Sequence, residues 1–437
     1  MIRGLFTTYG TLAALLILCL FFTWDTYHQE VPTGAEGARI LAEELAASRK
    51  PAGLLVVVSQ ADSAESEFAD ALSADLAARN IAVTAVVKGD PPTVRAEMEK
   101  LGENRLAVAI IATTPACRDW AVWDSLRKLP AFASIELRAP HAAGRSTFFS
   151  VSNLRNVADQ VAVIAIIAIG MTMVIITGGI DLSVGSLVAL SAVTTAWLIQ
   201  RMGGGAAGNG GMLAACLGGI AACGAVALFS GAMITAFRIP PFIATLAMMQ
   251  VASGLAFIVA RGQSIYDIPA SFTWLGRGEA VTGIPNSVIL MIAAFALAHL
   301  LMTRTVSGRR IYAIGGNAEA ARLSGVSTRR TLFFVYLVSG VAAGVGGVIT
   351  ASQLKAGAPT YGMMYELYVI AAVVVGGTSL TGGEGRIFGT LIGAFIIAVI
   401  RNGMNLTNVE PYTQKIVLGL VILAAVLLDM LRRRRAS

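Results

Sequence analysis

Charge is scarce in this sequence. Only 14% of its 437 residues are Asp, Glu, Lys or Arg and 56% are hydrophobic, against about 25% charged and 45–50% apolar in ordinary soluble domains. A soluble fold has no interior large enough for that apolar excess. Histidine and cysteine are scarcer still, at three and four residues. His28, His141 and His299 lie far apart, and Cys19, Cys117, Cys216 and Cys223 show no Cys-x-x-Cys spacing, so neither a metal cluster nor a disulfide framework is indicated. Cys216 and Cys223, seven positions apart on one helix face, read as packing. A P-loop is missing as well. The stretch Gly376 to Arg386 is glycine-rich, but Gly385 is followed by Arg386-Ile387, where a P-loop needs Lys and then Ser or Thr after a strand. No nucleotide, metal or other cofactor is expected on this chain.

What the sequence has in abundance is long apolar runs. Ten lie near residues 5–24, 157–177, 183–200, 212–236, 242–260, 286–303, 331–352, 364–377, 387–401 and 413–431. A helix needs about 20 residues to cross roughly 30 Å of hydrocarbon. The runs are apolar all round, where barrel strands alternate. The expected fold is therefore an α-helical polytopic membrane protein with about ten transmembrane helices. Leu5 to Trp24 is long for a signal-peptide core, and Asp25-Thr26-Tyr27-His28 offers no small-residue cleavage site, so the first run is expected to stay as an anchor.

Basic residues set the orientation. Arg304, Arg309, Arg310, Arg322, Arg329 and Arg330 crowd one loop, and Arg432 to Arg435 follow the last run. Ten spans put both places and the N-terminus on the cytoplasmic side, with 432–437 as a basic cytoplasmic tail. Residues 25–145 break the apolar pattern. Over 25–150 there are 17 acidic and 13 basic residues, leaving 9 and 20 elsewhere. The net charge of +7 is thus a topology signal, and no nucleic-acid partner is implied. Within the insert, 53–58, 81–87 and 106–112 read as strands and 64–79 and 91–104 as helices, an alternation that predicts a small parallel α/β domain. The odd span before it places it outside the cytoplasm. Ser59-Gln60-Ala61-Asp62 stands where a dinucleotide-binding glycine motif would follow the first strand. A lobe like that of a periplasmic sugar-binding protein and a plain spacer remain alternatives.

Three segments carry polarity worth naming. The first is Gly178-Gly179-Ile180-Asp181-Leu182-Ser183-Val184-Gly185-Ser186, between the second and third runs. Its glycines weaken the helix and Asp181 or Ser183 is suited to cap the next one. An Asp at membrane depth ordinarily faces a cavity or partner, so a tight capped turn and a broken helix lining a solute path both fit. The second segment is Gly315-Gly316-Asn317-Ala318-Glu319-Ala320-Ala321-Arg322-Leu323-Ser324-Gly325. Asn317 suits an N-cap, Glu319 and Arg322 match the dipole and Gly325 suits a left-handed stop. That is a two-turn helix in a cytoplasmic loop, a docking element as well as a topology signal. The third is the 376–386 stretch, where Thr378 or Ser379 suits a cap and Gly382, Gly383 and Arg386 complete a tight cytoplasmic turn.

Several stretches together resemble the permease subunits of the ribose and related sugar ABC importers. They are Ser146-Thr147-Phe148-Phe149 with Asn153-Leu154-Arg155-Asn156, Gly170-Met171-Thr172, the Gly178 to Gly185 segment, Pro241-Phe242-Ile243-Ala244-Thr245-Leu246, Ala313-Ile314-Gly315-Gly316-Asn317 with Arg322-Leu323-Ser324-Gly325, Gly376-Gly377-Thr378-Ser379-Leu380 with Gly389-Thr390-Leu391-Ile392-Gly393-Ala394, and Asn402-Gly403-Met404-Asn405-Leu406. They keep their order over 146–431, which marks the permease core of nine further spans. The resemblance implies a homodimer or heterodimer of permeases around a central path. Two cytoplasmic ATP-binding subunits would hold ATP and Mg, and an extracytoplasmic solute-binding protein would deliver a small sugar. It places Gly315 to Gly325 at the ATPase coupling interface and the Asp181 segment near the transport core. The insert departs from the family pattern, in which a short connection joins the first two spans. An ion-coupled secondary carrier is the first rival, but Asp159, Asp181 and Glu366 are nearly the only acids near the spans. The second rival, a membrane receptor sensing a ligand through the insert, needs only one or two spans. Trp197 and Trp274 read as interfacial anchors, and the sugar itself is not written in the sequence.

Overall fold

The computed structural model describes residues 2–30, 32–47, 53–59, 63–103, 108–140 and 143–434. Of the stretches singled out above, 60–62, 104, 106–107, His141 and 435–437 lie outside the described residues. The chain divides into two units, Met1–Thr26 with Thr147–Ser437, and Tyr27–Ser146.

Helix α1 (Ile2–Asp25) opens the chain, and Tyr27–Ser146 follows as a three-layer α/β unit. Strands β1 (Tyr27–Glu30) and β6 (Ala143–Ser146) pair antiparallel at its two ends, with Tyr27 opposite Ser146. Between them come α2 (Gly34–Ala47), β2 (Leu54–Val58), α3 (Ser63–Ala78), β3 (Val83–Lys88), α4 (Pro91–Glu103), β4 (Ile110–Thr113), α5 (Pro115–Arg118), α6 (Val122–Leu126) and β5 (Glu136–Arg138). The four inner strands run parallel in the order β3-β2-β4-β5. Strand β2 is an unbroken apolar run because both of its faces are covered. Leu54, Val56 and Val58 pack with Leu41, Leu45, Phe68 and Leu72. Leu55 and Val57 turn the other way, into a cluster with Val94, Met98, Trp123 and Leu126. The two-residue alternation of a strand sends each set to its own layer.

The second unit continues with α7 (Val151–Ile176), α8 (Val184–Arg201), α9 (Asn209–Ala236), α10 (Pro241–Val259), α11 (Trp274–Arg277), α12 (Asn286–Arg304), α13 (Val306–Gly316), α14 (Ala318–Leu323), α15 (Thr328–Leu354), α16 (Tyr365–Val375), α17 (Ile387–Leu406) and α18 (Pro411–Arg434). Among the described residues, seven helices are long and apolar enough to cross a membrane: α7, α8, α9, α10, α12, α15 and α17. The apolar stretches Gly10–Asp25, Tyr365–Val375 and Pro411–Leu427 are shorter. This is a polytopic helical membrane unit.

Burial separates the helices by position. The most apolar stretch of α7 is 89% buried and that of α10 only 22%, so α7 is central while α10 turns most of its surface outward. Helix α15 lies against α7, α8 and α9 at very short range. Gly340 leaves no room for a side chain, since the Cys223 carbonyl oxygen is 2.8 Å from the place a Cβ would take. In hydrocarbon, where helices gain nothing by hiding apolar surface from one another, close backbone approach of this kind supplies the packing. Helix α1 joins the same unit. Phe22 of α1 lies over Gly403 of α17 and stacks on Phe148 with ring centroids 6.0 Å apart. The residues flanking the α/β unit also meet. The Thr147 N–H donates to the Thr26 carbonyl (3.3 Å) and the Phe148 N–H to the Thr26 hydroxyl (3.2 Å).

Candidate functional site

Helix α7 stops in the way its sequence demands. Gly178 takes a left-handed φ of +79°, its N–H donates to Ile175 O (2.9 Å), and the Gly179 N–H reaches Val174 O (3.0 Å), which together satisfy the last carbonyls of the helix. The chain then runs through Ile180 to Asp181, whose side chain is buried at 1% exposure. One carboxylate oxygen, Oδ1, accepts the Ser183 N–H (3.0 Å) and the Ser183 hydroxyl (2.6 Å). The other, Oδ2, accepts the Ser339 hydroxyl of α15 (2.7 Å). The Thr245 hydroxyl of α10 donates to Ile180 O (3.1 Å). The break is therefore pinned to two neighbouring helices.

These bonds correct the capping expectation. Ser183 occupies the N-cap position of α8 but makes no side-chain capping bond, and Asp181 closes a local turn onto Ser183 while turning its second oxygen to α15. Gly185, in the first turn of α8, stands 2.6 Å (Cβ position) from Gly362 O and against the Glu366 carboxylate. The Tyr336 hydroxyl, one turn before Ser339, lies 2.7 Å from the place of a Gly179 Cβ. It has no hydrogen-bond partner among the described residues. Tyr336 and Ser339 were not singled out from the sequence. The only signal was a hydroxyl beside Gly340 inside an apolar run.

The second segment folds as a short helix with both ends satisfied. Asn317 is extended, with φ −159° and ψ 102°, and its Oδ1 accepts the N–H groups of Glu319 (3.1 Å) and Ala320 (2.9 Å). At the other end Gly325 has φ +83°, its N–H donates to Arg322 O (3.0 Å) and the Val326 N–H to Ala321 O (3.0 Å). The Arg322 guanidinium donates to Glu319 (3.0 Å) and holds that carboxyl below the usual glutamate range. Ala321 is buried while Leu323 is 75% exposed. The helix thus offers an apolar side chain beside an ion pair, on a rigid capped turn.

The third segment is a tight loop. Ser379 N–H donates to Glu384 O (3.0 Å), Gly382 N–H to Ser379 O (3.1 Å), and Ser379 Oγ accepts the Thr381 N–H (3.2 Å). Gly382 and Gly383 take φ of +86° and +79°. Helix α17 begins only at Ile387, and Arg386 at its N-cap position makes no side-chain capping bond. Neither Thr378 nor Ser379 caps it, because the loop closes on itself first. The Thr378 hydroxyl is buried with no partner among the described residues.

All three segments come together at one backbone atom. The Ile176 carbonyl oxygen, at the end of α7, accepts the Gly383 N–H (2.9 Å). Gly315 packs against the same oxygen with no space for a Cβ, and the Gly383 nitrogen lies 2.5 Å from that Cβ position. Tyr312, one turn before Gly315 on α13, donates its hydroxyl to Gly385 O (2.8 Å).

In the α/β unit, the end of the sheet where a doubly wound fold would hold a ligand is occupied by the chain's own carboxylate. Glu65 accepts the Ser59 N–H (2.6 Å), the Thr114 hydroxyl (2.9 Å) and the Cys117 thiol (3.2 Å). No group of His, Cys, Asp and Glu able to hold a metal occurs among the described residues.

Residues 153–426 match the family model described as branched-chain amino acid transport system / permease component. The ribose import permease of Bacillus subtilis (strain 168) is 45% identical over 285 residues, covering 65% of this chain and 86% of the relative. The ribose import permease of Escherichia coli (strain K12) is 42% identical over 286 residues, 64% of this chain and 87% of the relative. The L-arabinose ABC transporter permease of Azospirillum brasilense is 35% identical over 331 residues, 74% of this chain and 94% of the relative. No solved structure matches the chain. The matched region holds the Asp181 break, the capped α14 and the glycine loop, and the chain belongs to this family of transport-system permease components.

Proposed function

We propose that this permease carries a monosaccharide or similar small polar solute inward across a bacterial cytoplasmic membrane, powered by two separate ATP-binding subunits that hold ATP and Mg. A second permease copy completes the path and an extracytoplasmic solute-binding protein delivers the solute. The observation that carries the reading is the meeting of two unlike elements in one unit. One is a buried, hydroxyl-lined break at Asp181 inside the helix bundle, and the other is a capped, outward-facing α14 with Leu323 exposed at 75%. The first suits a solute path or its gate, with Gly178, Gly179, Asp181, Ser183 and Gly185 as its residues. The second suits docking of an ATPase, with Gly315, Gly316, Asn317, Glu319, Ala320, Arg322, Leu323 and Gly325. Thr378, Ser379, Gly382, Gly383 and Arg386 add a second cytoplasmic loop beside it. Relatives named for ribose, allose and arabinose favour a monosaccharide.

In this reading the three shorter apolar helices also cross the membrane, giving ten spans, and both termini are cytoplasmic. Residues 25–145 lie outside the cytoplasm, as an accessory or docking domain on the side where the solute arrives. The test is ATP hydrolysis by the reconstituted complex with its binding protein and ribose, allose or arabinose in turn. Stimulation by at least one is expected. No stimulation by any monosaccharide overturns the sugar assignment, and uptake that persists without an ATP-binding subunit points instead to a secondary carrier.

A further inference from the structure

We infer that Gly315 and Gly383 are positioning residues that carry displacement of α14 to the Asp181 break through direct backbone contact with Ile176. The inference rests on the ATPase-driven reading above and adds its internal route. The junction has no side chain between its parts. The Gly383 N–H bonds the Ile176 carbonyl at 2.9 Å, and Gly315 abuts that oxygen with no room for a Cβ. A Cβ on Gly382 would lie 3.0 Å from the same oxygen and 3.1 Å from the Gly178 nitrogen. Three chain segments remote in sequence therefore touch main chain to main chain at the C-terminus of α7.

Both flanks of this junction are fastened. On one, Tyr312 of α13 bonds Gly385 O at 2.8 Å, so α13 and the glycine loop are held together beside the Gly315 contact. Helix α14 follows α13 with only Asn317 between them. On the other flank, Ile176 is followed by Thr177, Gly178, Gly179 and Ile180 before Asp181, which is bonded to Ser339 of α15 (2.7 Å). A contact made through side chains yields by changing rotamer. Packed backbone has no such freedom, so displacement of one segment is passed to the next. Gly178, with a φ of +79° and open space around its Cβ position, lies between Ile176 and Asp181, and its N–H bond to Ile175 O (2.9 Å) keeps it tied to the end of α7.

Gly254 of α10, outside both the break and the docking segment, supplies an internal control, because nothing lies within 4 Å of its Cβ position. The experiment uses the whole chain assembled with its ATP-binding subunits in lipid nanodiscs, with Thr177→Cys as a reporter beside the break. The readout is the alkylation rate of that cysteine, followed by peptide mass spectrometry with and without ATP and Mg, and it needs no knowledge of the sugar. In the otherwise unaltered chain nucleotide is expected to change the rate by about threefold or more. Gly315→Ala, once assembled with its ATP-binding subunits, is expected to abolish the nucleotide effect, and Gly254→Ala to leave both that effect and basal ATP hydrolysis as they were. Where Gly315→Ala fails to assemble, Tyr312→Phe, which removes one bond and adds no bulk, is expected to reduce the nucleotide effect. The inference is overturned by no nucleotide effect in the parent, by one that persists in Gly315→Ala, by its equal loss in Gly254→Ala, or by an unaltered effect in Tyr312→Phe when Gly315→Ala does not assemble. A parent chain that binds no ATP-binding subunit at all overturns the functional reading itself, and this route with it.

Discussion

Asn153 of α7 and Asn402 of α17 exchange their side-chain amides across 249 positions of sequence, at 3.0 Å in one direction and 2.8 Å in the other. Asn153 also donates to Phe148 O (2.9 Å), and both side chains are buried. The pair clasps the first long helix of the membrane unit to one of its last. Replacing either Asn by Leu leaves the other amide buried without its partner, a cost of about 1–3 kcal/mol. The double replacement is expected to cost less than the sum of the two, because neither amide is then left without the other. Thermal unfolding of the three variants in detergent checks this, and strictly additive losses would sink the clasp.

Asp181 is the acceptor for three donors, so removing it strands all of them. Asp181→Ala is expected to lower stability by about 1–3 kcal/mol and to reduce uptake by roughly tenfold per assembled complex. Ser339→Ala removes one donor from a carboxylate that keeps two others and is expected to cost less than Asp181→Ala on both measures. Uptake in proteoliposomes, normalised to inserted protein, separates the two. Equal losses would show that Ser183 contributes nothing.

The α14 segment offers a cap and an ion pair whose consequences differ. Asn317→Ala removes two capping bonds and is expected to cost the helix about 1 kcal/mol, read as faster amide exchange over residues 318–323. Glu319 and Arg322 are exposed and solvent-screened, so Glu319→Gln is expected to change that exchange little at neutral pH. Arg322 holds the Glu319 carboxyl below its ordinary value. A carboxyl lowered on folding contributes above its unfolded pKa and loses the contribution as pH falls through the folded one. The helix signal is therefore expected to be flat above about pH 5 and to lose below roughly pH 4 no more than the small amount Glu319→Gln removes.

Long apolar runs made most of the membrane unit legible, because a span of hydrocarbon imposes one length on every crossing helix. The runs at 157–177 and 331–352 correspond to Val151–Ile176 and Thr328–Leu354, longer at their ends where polar residues continue the helix beyond the apolar stretch. The cap at Asn317 was legible too, since capping acts within four residues. Ser339 as a partner of Asp181 was not, nor was the meeting of Ile176, Gly315 and Gly383, because contacts between distant segments leave no local pattern. The same limit explains the two corrected caps. Asp181 and Thr378 have the right chemistry for helix starts, but the third dimension supplied Asp181 with Ser339 and enclosed Thr378 beneath Gly385, whose Cβ position is 2.8 Å from it.

Cys117 packs in the α/β unit under Glu65, and burial first, with Glu65 adding to it, pushes its thiol up to about 11. The thiolate is the reactive form. Cys117 in the folded protein is therefore expected to resist alkylation at neutral pH and to react readily once the chain is denatured. Peptide mapping after brief exposure to iodoacetamide checks this, and fast modification of native Cys117 would contradict its burial.

Thr26 and Thr147 are hydrogen-bonded neighbours, so the membrane unit already closes the gap that residues 27–146 span. Excising residues 28–145 and joining the ends with a two- to four-residue turn, about the length of an ordinary tight connection, is expected to leave the membrane unit folded and its thermal transition little changed. Loss of the folded unit in detergent would show that it depends on the excised residues.

That closure also sets an order of events at the ribosome. The bond from Thr147 to Thr26 joins positions 121 residues apart, and synthesis proceeds at about 5–20 residues per second. Helix α1 therefore waits on the order of 6–24 s before Thr147, the first residue that bonds its end, is made. Until then Phe22 has neither Phe148 nor Gly403 to lie against, and α1 lacks the helix of its unit on which it packs. A nascent chain stalled within residues 27–146 would present to quality-control proteases one lone apolar helix and an unfinished sheet, a substrate quite unlike the finished permease.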